Sequence, residues 1–280
     1  MADPVIAEVE GLEPETDYER IAYLVACHAF PFDQTRALEF ALFRTFAVPS
    51  ISARLDATRE FGDRAQKRYD DTDLILSEFL EHGLDSERGR AAIRRMNRLH
   101  GRFEITNEDF LYVLSTFVFE PIRWNARFGW RPMTTKEKLG QFHFWRAVGG
   151  HMNIRDIPET YEAFERFNVE YEREHFRYAD TNQRVGGATR DMLAAWFLPR
   201  PLRPLAYPAM HALMDEPLLD AMGFPRPSPA LRRLVEGGLR ARARFIALLP
   251  PRRKPRIRTQ MRHRTYPHGY EIETLGPPTG

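Results

Sequence analysis

Residues 93–103 read IRRMNRLHGRF, and the apolar side chains Ile93, Met96 and Phe103 fall at the spacings that stack on one face of a helix. His100 lies on the same stripe. A buried imidazole needs partners for both ring nitrogens, or it costs more than the methyl groups it displaces. Two explanations fit the position: a core histidine bonded to a carbonyl or carboxylate, or a ligand to a metal centre.

The same rhythm runs outward in both directions. No run of several residues alternates with the two-residue period of a half-buried strand, so the sequence predicts an all-α fold, one large helical domain. Periodicity places helices at 17–28, 33–46, 51–82 with breaks, 85–102, 107–128, 134–152, 157–178, 183–198 and 228–249. Asp85-Ser86-Glu87, Thr106, Thr134 and Ile157-Pro158-Glu159-Thr160 put caps or acids at helix entrances. Eight prolines between 199 and 229 restrict that stretch to short turns. The expected organisation is an acidic arm over 1–16, a helical body over 17–250 and a basic, proline-rich tail over 251–280. Without helical periodicity, the tail is either extended over the body or disordered.

The 280 residues are 43% hydrophobic and 12% aromatic, ample for a large core. A formal charge of +2 conceals an asymmetry, because residues 226–264 hold thirteen Lys and Arg against one acid. An anionic partner should therefore meet the C-terminal region. The single cysteine, Cys27, excludes an intrachain disulfide and any C-x-x-C site. Seven acids precede the first basic residue, the reverse of a secretory or mitochondrial leader, and the apolar run at 21–27 is far too short to cross a bilayer. The expectation is a cytoplasmic protein.

Nucleotide-binding glycine loops, G-x-S-x-G and H-E-x-x-H are all missing. Glu172-x-x-His175 is a single copy of a unit that a carboxylate di-iron bundle needs twice, and its charge-rich helix suggests a surface ion network. His143 and His151 are turned about 80° apart on one helix, so they are poor partners for one metal. More suggestive is AQKRYDDTDLILSEF, residues 65–79, where Arg68 and Thr72 share a helix face and Asp71 lies on the adjoining edge. Either Asp70, Asp71 or Thr72 caps the apolar helix that follows, or a small polar cluster is aimed into a pocket.

The runs KRYDDTDLILSEFLEHG, AAIRRMNRLHGRF, ITNEDFLYVLSTFVFEPIRWNARFGWR and FWRAVGGHMNIRDIP, in that order over roughly residues 60–200, resemble the MpaB-type oxygenases, relatives of the rubber oxygenases. The resemblance implies an all-α fold with a globin-like core and a non-covalent haem b held by one proximal histidine, which His100 matches. Met96 and Asn97 would lie beside the cofactor. Arg68 and Thr72 match the ends of the rubber oxygenases' distal Arg-x-x-Lys-Thr signature, with Asp71 where the lysine stands. Asn97 replaces an arginine found three residues before the proximal histidine. These departures weaken the case for rubber as substrate. The function that the resemblance implies is oxidative cleavage or oxygenation of an apolar, isoprenoid-like molecule with O2.

A reading of another class rests on residues 229–258, PALRRLVEGGLRARARFIALLPPRRKPRIR. This stretch could dock on an anionic membrane or nucleic acid. The plainer expectation is a solvated basic helix packed by Leu231, Leu234, Leu239, Ile246 and Leu249, weakened at Gly237-Gly238. No nucleic-acid fold accompanies it, so no nucleic acid is expected, whereas membrane contact remains compatible with an enzyme fetching a lipid-like substrate.

Overall fold

Hydroxyl and carboxylate side chains write the helix starts. Ser86, Thr106, Thr134, Thr160, Asp215 and Ser228 each accept a bond from a backbone N–H three residues on, satisfying a donor that has no partner within the helix. At Thr134 the Glu137 carboxylate returns the bond, closing a capping box. The computed structural model describes residues 4–252 and 254–277. Along them run α1 (Pro4–Glu10), α2 (Tyr18–Tyr23, continued as a π-helical turn Leu24–Ala29), α3 (Pro31–Phe46), α4 (Pro49–Ala57), α5 (Glu60–His82), α6 (Glu87–His100) and α7 (Asn107–Phe128). There follow α8 (Thr135–His151), α9 (Tyr161–His175), α10 (Asp180–Ala195), α11 (Tyr207–His211), α12 (Glu216–Met222) and α13 (Pro229–Ala247). No strand occurs among the described residues, so the fold is all-α.

Two pairings position the site. α3 lies along α7, and α5 turns at Gly83 into α6 and packs along it. The hairpin turn is tight: a Cβ on Gly89 would fall 2.0 Å from the Gly83 carbonyl oxygen, so only glycine fits there. The larger core joins Leu74 and Phe79 of α5, Ile93 and Met96 of α6, Val118 and Phe119 of α7, and Phe144 of α8. A second core gathers Phe43, Phe46 and Phe61 against α10 and α12.

Four expectations change. Asp70, Asp71 and Thr72 lie inside α5 and cap nothing. The stripe through His100 ends there, because the helix stops at His100 and Phe103 is exposed. Glu172 is buried, bonded by Arg44 and by the Tyr112 hydroxyl at 3.1 Å, so it belongs to an interior ion pair and not to a surface network. Leu234 and Leu249 do not pack α13 onto the body; both are exposed.

The tail runs over the body. Arg258 pairs with Asp73, while the Arg258 and Thr259 backbone N–H groups and the Thr259 hydroxyl all donate to Glu81. The Thr265 N–H donates to Asp70 at 2.8 Å, Tyr266 Oη to Asp71 at 2.5 Å and Tyr270 Oη to Glu78 at 2.5 Å. Ile272 and Leu275 are buried in the larger core. Arg258 thus meets the acidic face of the chain's own α5, and backbone N–H groups and hydroxyls of the tail bond its other acids. At the far end Gly276 takes φ 89°, a left-handed turn in which a Cβ would meet Leu99 at 2.6 Å.

Candidate functional site

A cavity of about 120 Å³ opens between α3, α5 and α8. On α3, Pro31, Thr35, Leu38 and Leu42 supply one wall at helical spacing, with Glu39 among them. On α5, Arg68, Thr72 and Leu76 form a stripe of i, i+4 neighbours, with Tyr69, Asp73 and Leu80 beside it. Phe117, Phe144 and Trp145 complete the apolar part, and Arg256 and Arg258 of the tail close one side. Cys27 lines the wall too, its thiol pushed up to about 12 by burial, which leaves it protonated and inert.

Arg68 and Thr72 come together as their spacing required. The Arg68 guanidinium donates to Thr72 Oγ1, and that hydroxyl donates back to the Arg68 carbonyl at 3.0 Å. Thr72 therefore spends its proton on the helix backbone and acts as a support for the arginine. Burial lowers the Arg68 pKa, opposed by the more distant carboxylates of Asp71 and Glu60. Those two are bonded elsewhere: Glu60 to Arg64, and Asp71 to Lys67 and Tyr266. Arg68 thus presents an incompletely neutralised cation to the cavity.

Two histidines, His100 and His211, are held at about 4, each chiefly by burial and further by an arginine, Arg68 for the first and Arg190 for the second. Both are neutral near pH 7, but their surroundings differ. His211 has partners at both nitrogens: Nδ1 donates to the Pro225 carbonyl at 3.2 Å, and Nε2 faces Arg190 at 3.5 Å. His100 Nδ1 is buried with no hydrogen-bond partner, and the ring touches Phe110 edge-on at 5.4 Å. An orphaned imidazole nitrogen of this kind suits a metal or cofactor ligand, since a merely structural histidine would be left with an uncompensated desolvation cost. His100 does not line the cavity; Arg68 connects the two, lining the cavity and lying close enough to affect the imidazole. The cavity volume suits a benzene-sized group, so it is room for one end of an apolar molecule and not for a macrocycle.

The other sequence candidates are placed as follows. Met96 is buried in the larger core. The Asn97 amide donates to the His151 carbonyl at 2.9 Å, tying α6 to the end of α8. His175 stacks on Tyr171 and bonds its carbonyl. No group of three or more His, Cys, Asp or Glu side chains among the described residues could hold a metal ion.

Sequence reasoning missed Glu39. It is buried, bonded at Oε1 by Arg36 at 2.5 Å and by Tyr69 Oη at 3.0 Å, and burial pushes its carboxyl up to about 7 against the pull of Arg36. A lone acid on the apolar face of RALEFALF was the available signal. Also missed was Arg258, whose partner Asp73 is 185 residues away in the chain. Arg258→Ala should lower unfolding stability by about 2 kcal/mol, less than a fully buried pair because both side chains keep some exposure. A denaturant titration that shows no change would mean the tail contributes nothing to holding the cavity's side.

Fold and site together define a class: an all-helical domain keeping a neutral orphaned histidine, a half-buried arginine and a buried carboxyl about an apolar interior. Residues 38–248 match the family "ER-bound oxygenase mpaB/B'/Rubber oxygenase, catalytic domain", and the chain belongs to that family of oxygenase catalytic domains. It is 27% identical over 266 residues to the ER-bound oxygenase mpaB' of Penicillium brevicompactum, covering 87% of this chain and 62% of that protein. It is 29% identical over 233 residues to the ER-bound oxygenase mpaB of Penicillium roqueforti, covering 76% and 78%. Against mpaB of Penicillium brevicompactum the figures are 33% over 155 residues, 52% and 39%. The chain therefore spans from about two fifths to four fifths of the length of these relatives.

Proposed function

We propose that this chain is a haem b-dependent oxygenase that holds the cofactor non-covalently and uses O2 to cleave or oxygenate an apolar, isoprenoid-like molecule. The observation that carries the reading is the neutral His100 imidazole with its orphaned buried Nδ1, in a member of this oxygenase family. His100 would hold the iron. Haem b, when bound, would supply the binding and activation of O2.

The chain's own groups do the rest. Leu76, Leu80, Phe117, Phe144 and Trp145 exclude water from the space where an apolar molecule would lie. Arg68 offers positive charge to negative charge developing on oxygen, and Thr72 fixes its orientation. Glu39 holds a proton near neutrality; both its bonds fall on Oε1, leaving Oε2 to carry it. Lys67 does not take the place of the family lysine, because it is spent on Asp71 at 2.8 Å, the Tyr266 hydroxyl at 2.9 Å and the Gly276 carbonyl at 3.0 Å.

Incubating the purified protein with haemin should produce a Soret band that saturates at one haem per chain and survives gel filtration. Absence of stoichiometric uptake would overturn the cofactor assignment.

Glu39 gives the activity a pH limb. Turnover should change through about pH 7 in the native protein and lose that limb in Glu39→Gln. Stability follows the same proton. The folded protein holds it between the free carboxyl's 4.5 and about 7, where the unfolded chain does not. This contribution is full below pH 4.5 and is lost as pH rises to about 7, a fall of roughly 3 kcal/mol that Glu39→Gln should abolish. Denaturant titrations at pH 5 and pH 8 measure it, and equal pH dependence in both proteins would remove Glu39 from the account.

A further inference from the structure

No helix among the described residues is long and apolar enough to cross a membrane, yet α13 carries an apolar face that none of the described residues covers. Leu234 is 72% exposed, Phe245 61% and Leu248 84%. With Gly238 and Ala241, also exposed, they recur at spacings of 4, 3, 4 and 3, a single stripe from the second turn of α13 to its C-cap, Leu248. The glycines keep that stripe smooth, since no other atom lies near the position a Cβ would take on Gly237 or Gly238.

The opposite side of α13 is already used. The Arg232 guanidinium donates to the Met214 carbonyl at 2.9 Å, Ala243 is buried, and Arg242 covers the Phe32 ring. The one acid of the helix, Glu236, is turned away from the stripe and paired with Arg127 at 3.0 Å and Arg240 at 2.9 Å. Arg233 and Arg244 are exposed and lie about 80° to 100° round the helix from the centre of the stripe. An apolar ridge with an arginine border and no exposed acid is thus presented outward. Leu205, 73% exposed, ends a short 3-10 turn (Arg200–Leu205) packed on α11, the helix that α13 also touches.

We propose that α13 is a peripheral membrane-docking surface that lays its apolar stripe into an anionic lipid headgroup region. Charge decides between this occupant and a second copy of the chain. Both arginines lie on one flank of the stripe, so in an antiparallel two-fold pair of α13 helices they would crowd onto the same side as the partner's, whereas phosphate groups neutralise them while acyl chains take up Leu234, Phe245 and Leu248. The described residues of the tail make their contacts elsewhere, to α5, the Cys27 carbonyl, the Trp196 ring and the larger core. The proposal is independent of the haem assignment.

Vesicle flotation of the full-length protein tests it, using phosphatidylcholine vesicles with and without phosphatidylserine. The protein should float with the anionic vesicles, far less with the neutral ones, and less as salt is raised. Phe245→Ser with Leu248→Ser should weaken partitioning at least about tenfold, and Arg233→Gln with Arg244→Gln about tenfold or more on anionic vesicles alone. Thermal midpoints of both variants should match the parent, since the substituted side chains are exposed. Failure to float, or flotation unchanged by both pairs of substitutions, overturns the proposal. So does a dimer seen by sedimentation that Phe245→Ser dissolves while no vesicle binding occurs, which would give the stripe to a second copy.

Discussion

His100→Ala should abolish the Soret band, both in protein as purified and after incubation with haemin, while the far-ultraviolet circular dichroism stays unchanged. In this reading one imidazole holds the iron, so its loss removes the chain's coordinate bond to the cofactor. The fold should survive because His100 Nδ1 makes no hydrogen bond whose loss would destabilise α6, and the helix is held by Ile93 and Met96 in the larger core. His211→Ala provides the contrast. That ring stacks on Phe224 and donates to the Pro225 carbonyl, so its removal should cost about 2 kcal/mol of stability and leave haem uptake intact. Retention of haem at parental stoichiometry by His100→Ala would overturn the ligand assignment, whatever happened to His211→Ala.

Arg68→Ala should leave haem bound but slow turnover by about 10² to 10³, the cost typical of removing one donor aimed at developing charge on oxygen. Thr72→Val should be milder, about tenfold, because Thr72 supports the guanidinium and its own proton is already given to the Arg68 carbonyl. Thr72→Ser, which keeps the hydroxyl, should restore most of the rate. The loss in Arg68→Ala belongs in kcat with KM little changed, as for an interaction made in the transition state. Equal activity in Arg68→Ala and the parent would reduce the pair to a helix-surface bond.

Arg68 bears on a second measurable property. Its charge helps burial to hold His100 at about 4, so Arg68→Ala should raise the imidazole pKa in the cofactor-free protein, an effect readable by nuclear magnetic resonance titration. Because the His100 pKa lies below its free value of 6.5, stability gained from the neutral ring is present above pH 6.5 and lost as pH falls to about 4.

The sequence by itself determined the all-α class and most helix spans, because both rest on interactions within four residues. Caps at Ser86, Thr106, Thr134 and Thr160 fall where their hydroxyls predict, and the 3.6-residue period located the faces of α5 and α6. It also brought Arg68 to Thr72, since four residues make one helical turn. Tertiary structure alone decided which faces are covered. Glu39 acquires its raised pKa from burial among elements distant in the chain, and Asp71 bonds a tyrosine 195 residues away. Leu234 was expected to pack and is left bare, because the body meets α13 through Arg232, Arg242 and Ala243 on its other side. Local periodicity specifies that a helix has an apolar face; what that face meets depends on long-range packing, for which spacing carries no signal.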